Sequence, residues 1–201
     1  MSLAATILDQ ARAQSIPEIV AVASAIAYLV LAIRQNIACW IFAAISTSIY
    51  IWLFVGAKLY MEAVLNGFYL VMAAYGWFAW RTGASDGHDR PVVTWPFRTH
   101  LWAGASLALL SVLTGSILCA YTDAAFPYID SLTTWFAIWS TFLVARKVLE
   151  NWWYWLLIDL ASVFIYWSRD LQLTGILFLV YIAMIPFGLV AWTQSMQQQE
   201  V

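Results

Sequence analysis

The chain writes nearly the same apolar hairpin twice. Residues 69–80 read Tyr-Leu-Val-Met-Ala-Ala-Tyr-Gly-Trp-Phe-Ala-Trp, and residues 181–192 read Tyr-Ile-Ala-Met-Ile-Pro-Phe-Gly-Leu-Val-Ala-Trp. Tyr69, Met72, Gly76, Ala79 and Trp80 thus recur 112 positions later as Tyr181, Met184, Gly188, Ala191 and Trp192. The same register holds upstream, where Glu18, Ala25, Ile26, Leu31 and Arg34 meet Asp130, Ala137, Ile138, Leu143 and Arg146. Between these anchors the offset slips by four, pairing Ser46 with Ser162 and Tyr50 with Tyr166. The slip falls at the loop near Gly56, where an insertion or deletion is cheap. Two homologous halves in a membrane chain imply a transporter architecture with its site between the halves.

That the chain is a membrane protein follows from its composition: 64% hydrophobic and 10% charged, against roughly 45–50% and 25% in globular domains. A bilayer-crossing helix needs about 20 apolar residues, and seven stretches meet the need: 17–33, 37–55, 59–80, 99–121, 129–146, 151–168 and 172–193. The fold class is therefore all-α integral membrane. The expected order is a short N-terminal segment (1–16) and a first three-helix repeat (17–80), then a polar cytoplasmic loop (81–98) and a linker transmembrane helix (99–121). A second repeat (129–193) and a C-terminal tail (194–201) complete it. Three helices end opposite their start, so one extra crossing is needed before the second triplet runs in the same direction. The repeats are then parallel, the three-plus-one-plus-three arrangement of SWEET-type transporters.

Basic residues set orientation. Arg34, Arg81, Arg90, Arg98, Arg146 and Lys147 fall on one side, and Arg12, Lys58 and Arg169 on the other. The richer side is expected to be cytoplasmic, which puts the N-terminus outside and the C-terminus inside. Met1–Ser15 lacks the basic-then-apolar order of a cleavable signal peptide and reads as an interfacial helix, with Pro17 at the first turn of the first span. The composition leaves no soluble ATPase or kinase module, and near-neutral charge gives no nucleic-acid surface. No His, Cys or carboxylate spacing suits a metal, and no nucleophile sits beside a base, so neither enzyme nor cofactor is expected.

Two acids fall inside predicted spans. Asp159 is mid-span in Trp152-Trp-Tyr-Trp-Leu-Leu-Ile-Asp159-Leu-Ala-Ser162, and Glu62 is in the first turn of span three. A carboxylate at bilayer depth costs at least about 2.5–3.5 kcal/mol, so it faces a cavity or a partner. Trp155, Asp159, Ser162 and Tyr166 recur at steps of four, three and four and share one helix face; Glu62, Asn66 and Tyr69 do the same on span three. Acid, amide and aromatic rings together suit a small cationic or heteroaromatic solute. Pairing across a helix interface is the other use of such acids. Opposite them in the repeat stand Ala43 for Asp159, Thr174 for Glu62 and Phe178 for Asn66. A scaffold can be two-fold symmetric, but a vitamin-sized ligand is not, so its ligands should break the symmetry. Trp135 and Trp139 are added as stacking candidates, whereas Trp40, Trp80, Trp102 and Trp192 read as interfacial anchors. Gly76 and Gly188 permit close helix contact, and Cys39 and Cys119 read as small packing residues.

The blocks Tyr75-Gly-Trp-Phe-Ala-Trp80, Asp130-Ser-Leu-Thr and Ala145-Arg-Lys-Val-Leu-Glu-Asn-Trp152, followed by Trp155, resemble those of the PnuC vitamin transporters over about residues 18–193. The resemblance implies a trimeric facilitator in a bacterial inner membrane, whose solute is trapped inside by a cytoplasmic vitamin kinase. Nicotinamide riboside and thiamine are the substrates it brings into view. Where riboside transporters tend to carry glutamine on span three and asparagine on span six, this chain has Asn66 and Asp159. An amide pair suits a carboxamide; a carboxylate only accepts, and so suits an amino group or cationic ring such as those of thiamine. The residues lean to thiamine and leave both open, as they do proton coupling through Glu62 or Asp159.

Overall fold

The structure, a computed structural model, describes residues 3–56, 60–82, 90–123, 126–169 and 171–199, with backbone only at 3–4 and 60–62. These residues form eight helices: α1 (Leu3–Arg12), α2 (Ile16–Ile33), α3 (Cys39–Gly56), α4 (Tyr60–Thr82), α5 (Phe97–Tyr121), α6 (Pro127–Ala145), α7 (Asn151–Ser168) and α8 (Gln172–Gln199). The local chemistry accounts for their ends. Ser15 and Glu18 close a reciprocal capping box at the start of α2, with Pro17 in its first turn, satisfying donors that a helix start leaves free. Helix α6 shares with α2 only the first-turn proline, Pro127; its start carries no side-chain cap. Pro186 lies within a continuous α8, and that helix runs on through the polar residues expected to be a tail.

Among the described residues, five helices are long and apolar enough to cross a bilayer: Ile16–Ile33, Cys39–Gly56, Ala63–Thr82, Phe97–Tyr121 and Gln172–Gln199. The expected spans 129–146 and 151–168 are helical as α6 and α7 but stand outside that group. The serines, threonines and indoles of α6, and the Asn151, Asp159 and aromatic residues of α7, make them more polar. Helices α2, α3 and α4 pack in series, as do α6, α7 and α8; α5 packs on α6, α4 meets α6, α2 meets α8, and α1 lies on α8. Gln10 of α1 fixes that last contact, donating to Gln172 at 2.9 Å and accepting the Leu173 N–H at 3.0 Å.

The internal repeat is visible in atomic detail. Helix α2 ends with Gln35 in a left-handed conformation (φ 54°), and α6 ends with Lys147 likewise (φ 53°). Each turn is closed by the same pair of backbone bonds: Gln35 N–H to Ala32 and Asn36 N–H to Leu31, matched by Lys147 N–H to Val144 and Val148 N–H to Leu143. These are Schellman caps, which satisfy carbonyls at a helix end. The rings repeat as well. A β-carbon at Gly76 would overlap the Trp40 indole, and one at Gly188 would overlap Trp152. Trp40 meets Trp80 edge-on at 5.4 Å and 83°, and Trp152 meets Trp192 at 5.5 Å and 85°.

Three of the four tryptophans read as interfacial anchors are core residues instead. Trp40, Trp80 and Trp192 are 2%, 4% and 0% exposed, while Trp102, at 73%, is surface-exposed as expected. Trp40 is covered within its own half by Tyr28, Gly76 and Trp80; for Trp80 and Trp192 the reason is the partner half. Trp80 donates its indole N–H to the Val144 carbonyl at 3.3 Å and Trp192 donates to Ala32 at 3.0 Å, so each ring is sheltered by the other repeat. Lys147, counted above as a loop base, is also buried.

Candidate functional site

The α7 stripe predicted from spacing is an inward face. Asp159 and Ser162 are buried at 3% and 6% exposure, Trp155 packs against the central aromatic cluster, and Tyr166 is half-buried. Tyr166 stacks on Phe178 of α8 at 5.3 Å and 13°, and Phe178 meets Tyr181 edge-on at 5.7 Å. Tyr181 in turn lies within electrostatic reach of both Asp159 and Tyr50 of α3. The acid therefore lies within reach of Tyr181 of α8, and Tyr50 carries the arrangement across to the first half. Among the described residues, no hydrogen-bond or ion-pair partner meets the Asp159 carboxylate. Burial of a carboxylate that way is costly unless it takes up a proton or meets a cation or donor.

On the first half, Asn66 and Tyr69 are half-buried on α4. Both are engaged by neighbours, and Tyr69 lies edge-on to Phe68 at 5.9 Å and within reach of Tyr28. The side chain of Glu62 lies outside the described residues. Trp135 and Trp139 point elsewhere than the α7 stripe: the Trp135 indole donates to Thr114 of α5 at 3.2 Å, and Trp139 packs on Trp95 and Phe142. Sequence reasoning missed Tyr50, Phe178 and Tyr181. The three-residue step from Phe178 to Tyr181 could have found the last two, but Tyr181 was read as repeated scaffold.

The block Arg146-Lys147-Val-Leu-Glu150-Asn151-Trp152 builds the α6–α7 turn and its contact with the connector. Val93 pairs with Val148 in a short bridge, with Val93 N–H donating to Lys147 O and Leu149 N–H to Val93 O. Glu150 accepts the Trp95 N–H at 3.3 Å and lies 3.8 Å from His100. The Asn151 amide donates to Val148 O at 2.7 Å. Together these hold the connector 90–96 over the α6–α7 turn, and the Arg90 guanidinium ties it to the Ala79 carbonyl of α4. Burial pulls the Arg90 guanidinium down from its usual range, with the Arg146 charge adding to the effect. No group of three His, Cys, Asp or Glu suited to a metal occurs among the described residues.

A helical membrane protein of two like halves, with a buried acid on one of them, is as a class a small-solute transporter. The family model described as nicotinamide mononucleotide transporter matches residues 15–194, and the chain belongs to that family. It is 23% identical over 194 residues to the nicotinamide riboside transporter PnuC of Escherichia coli, covering 84% of this chain and 81% of that one. It is 27% identical over 128 residues to the riboflavin/roseoflavin transporter RibM of Streptomyces davaonensis, covering 61% of this chain and 59% of RibM. The crystal structure of the vitamin B3 transporter PnuC matches with a TM-score of 0.75 at 20% identity, over 98% of this chain and 90% of the other. The relatives are transporters, not enzymes.

Proposed function

We propose that this protein is a facilitator of vitamin uptake, carrying thiamine or nicotinamide riboside with a preference for thiamine. It spans a bacterial inner membrane seven times in the three-plus-one-plus-three order, N-terminus outside, as a homotrimer. The single observation that carries the reading is Asp159: a buried carboxylate, unmet by any described residue and within reach of Tyr181, which belongs to the Tyr166–Phe178–Tyr181 ring cluster. Such a group attracts a cation or an amino group, and the rings attract a planar or cationic one. The solute runs down its gradient and a cytoplasmic kinase traps it by phosphorylation.

Titration of the purified protein with thiamine, nicotinamide riboside and riboflavin tests the substrate. Tight binding of thiamine supports the reading; binding of riboflavin alone overturns it. Vesicles holding the protein should show counterflow without accumulation. Accumulation abolished by an uncoupler would instead establish the second reading, a proton-coupled carrier, which the same buried acid favours.

A further inference from the structure

Among the described residues, six hydrogen bonds and ring–ring contacts join the two halves at one place, where α2, α4 and α6 end against α8. They are the Trp80–Val144 and Trp192–Ala32 hydrogen bonds, the Trp80–Trp192 edge contact at 6.5 Å, the Tyr75–Phe142 stack, the Arg146–Tyr75 bond at 3.4 Å and the bond from Lys147 Nζ to Gln35 Oε1 at 3.1 Å. Lys147 is 2% exposed and its ammonium also sits 4.7 Å from the centre of the Trp80 ring.

Lys147 and Gln35 are repeat counterparts, and both occupy the left-handed residue of a Schellman cap. Near a two-fold relationship, a residue meets its own counterpart. Two lysines there would repel, and two glutamines would bond only as neutral amides, so the strongest contact requires unlike residues. One cationic donor facing one amide acceptor meets that requirement, and a charged donor gives the stronger kind of hydrogen bond. The left-handed backbone, which side chains other than glycine rarely adopt, is what points both side chains at the seam.

We infer that the Lys147–Gln35 pair is the pin of a closed seam between the halves, made in this conformation and broken when the halves part at that end. Lys147 is thus a positioning residue for the transport cycle, whichever solute is carried. The native chain holds a reporter. Cys39, fully buried at the start of α3, lies within electrostatic reach of Lys147.

In protein reconstituted with Cys119 replaced by serine, N-ethylmaleimide should label Cys39 slowly. Lys147→Met and Gln35→Leu should each speed labelling by roughly ten- to a hundredfold, the scale of one charged hydrogen bond lost from the closed state alone. Lys147→Arg should keep Cys39 protected. The exchange Gln35→Lys with Lys147→Gln should restore protection that Gln35→Lys alone destroys. A second reporter, Ser24→Cys, buried further along α2, should stay protected throughout. Unchanged Cys39 labelling in Gln35→Leu, which leaves the lysine in place, would overturn the inference even if Lys147→Met cannot be purified. So would equal exposure of both reporters, which signals general loosening, or failure of the exchange to restore protection.

Discussion

Trp192 donates its indole N–H to the carbonyl of Ala32, 160 positions earlier, at 3.0 Å, and its repeat counterpart Trp80 does the same to Val144. Each half therefore places one aromatic ring inside the other. Trp192→Phe keeps most of the ring and deletes the donor, leaving the Ala32 carbonyl only its cap bond from the Gln35 N–H. Unfolding in detergent should show a loss of about 0.5–1.5 kcal/mol, the net worth of one neutral hydrogen bond. Trp80→Phe should cost a similar amount, and because the rings touch, the double variant should depart from additivity by about 0.5–3 kcal/mol.

The two glycines under the rings admit no methyl group. Gly76→Ala and Gly188→Ala drive a β-carbon into Trp40 and Trp152 and should each destabilise by about 1–3 kcal/mol through overpacking. Gly67, on the same helix as Gly76, has nothing within 4 Å of that position. Gly67→Ala should be neutral or raise stability by up to about 1 kcal/mol, through helix propensity alone. Thermal unfolding of the three variants side by side measures the contrast.

Solute choice should follow Asp159. Asp159→Asn keeps the shape, removes the charge and adds a donor. If the acid orients the aminopyrimidine of thiamine, binding should weaken by about 1.5–3 kcal/mol. Adding Asn66→Gln should raise affinity for nicotinamide riboside. Isothermal titration of both variants with both vitamins checks this, and unchanged affinities throughout would place the two residues outside the site.

Orientation is open to a direct chemical check. The connector 81–98 should face the cytoplasm, as the basic residues around it require. A cysteine at Ser85, which lies outside the described residues, should resist an impermeant maleimide applied to intact cells and react after lysis. Ready labelling of intact cells would invert the topology.

Much of the helical order was legible because its signals are local. Apolar runs placed the seven long helices closely except at the end of the last, where α8 runs on to Gln199, and Pro17 and Gly76 meant what their chemistry suggests. The step of four, three and four marked the buried face carrying Asp159 and Ser162 before any partner was known. What could not be read was contact between halves. A tryptophan at a span end serves equally as a lipid anchor or as a plug in a neighbouring repeat, and nothing within its own helix distinguishes them. Lys147 was likewise counted as a solvated base because its acceptor lies 112 positions away. Trp135 and Trp139 lie on α6, the neighbour of the α7 stripe, yet α5 and the connector claim their rings.

The acceptors of the two exchanged tryptophans, Val144 and Ala32, are main-chain carbonyls. Such atoms survive any replacement of side chain, provided the helix still ends there. Each half thus recognises the other through a feature common to every helix terminus, and only the indole donors need to be encoded. Mutual recognition of this kind persists while the remaining facing surfaces drift apart. One half can acquire an acid where its sibling keeps alanine, as with Asp159 and Ala43, without the pair ceasing to fit.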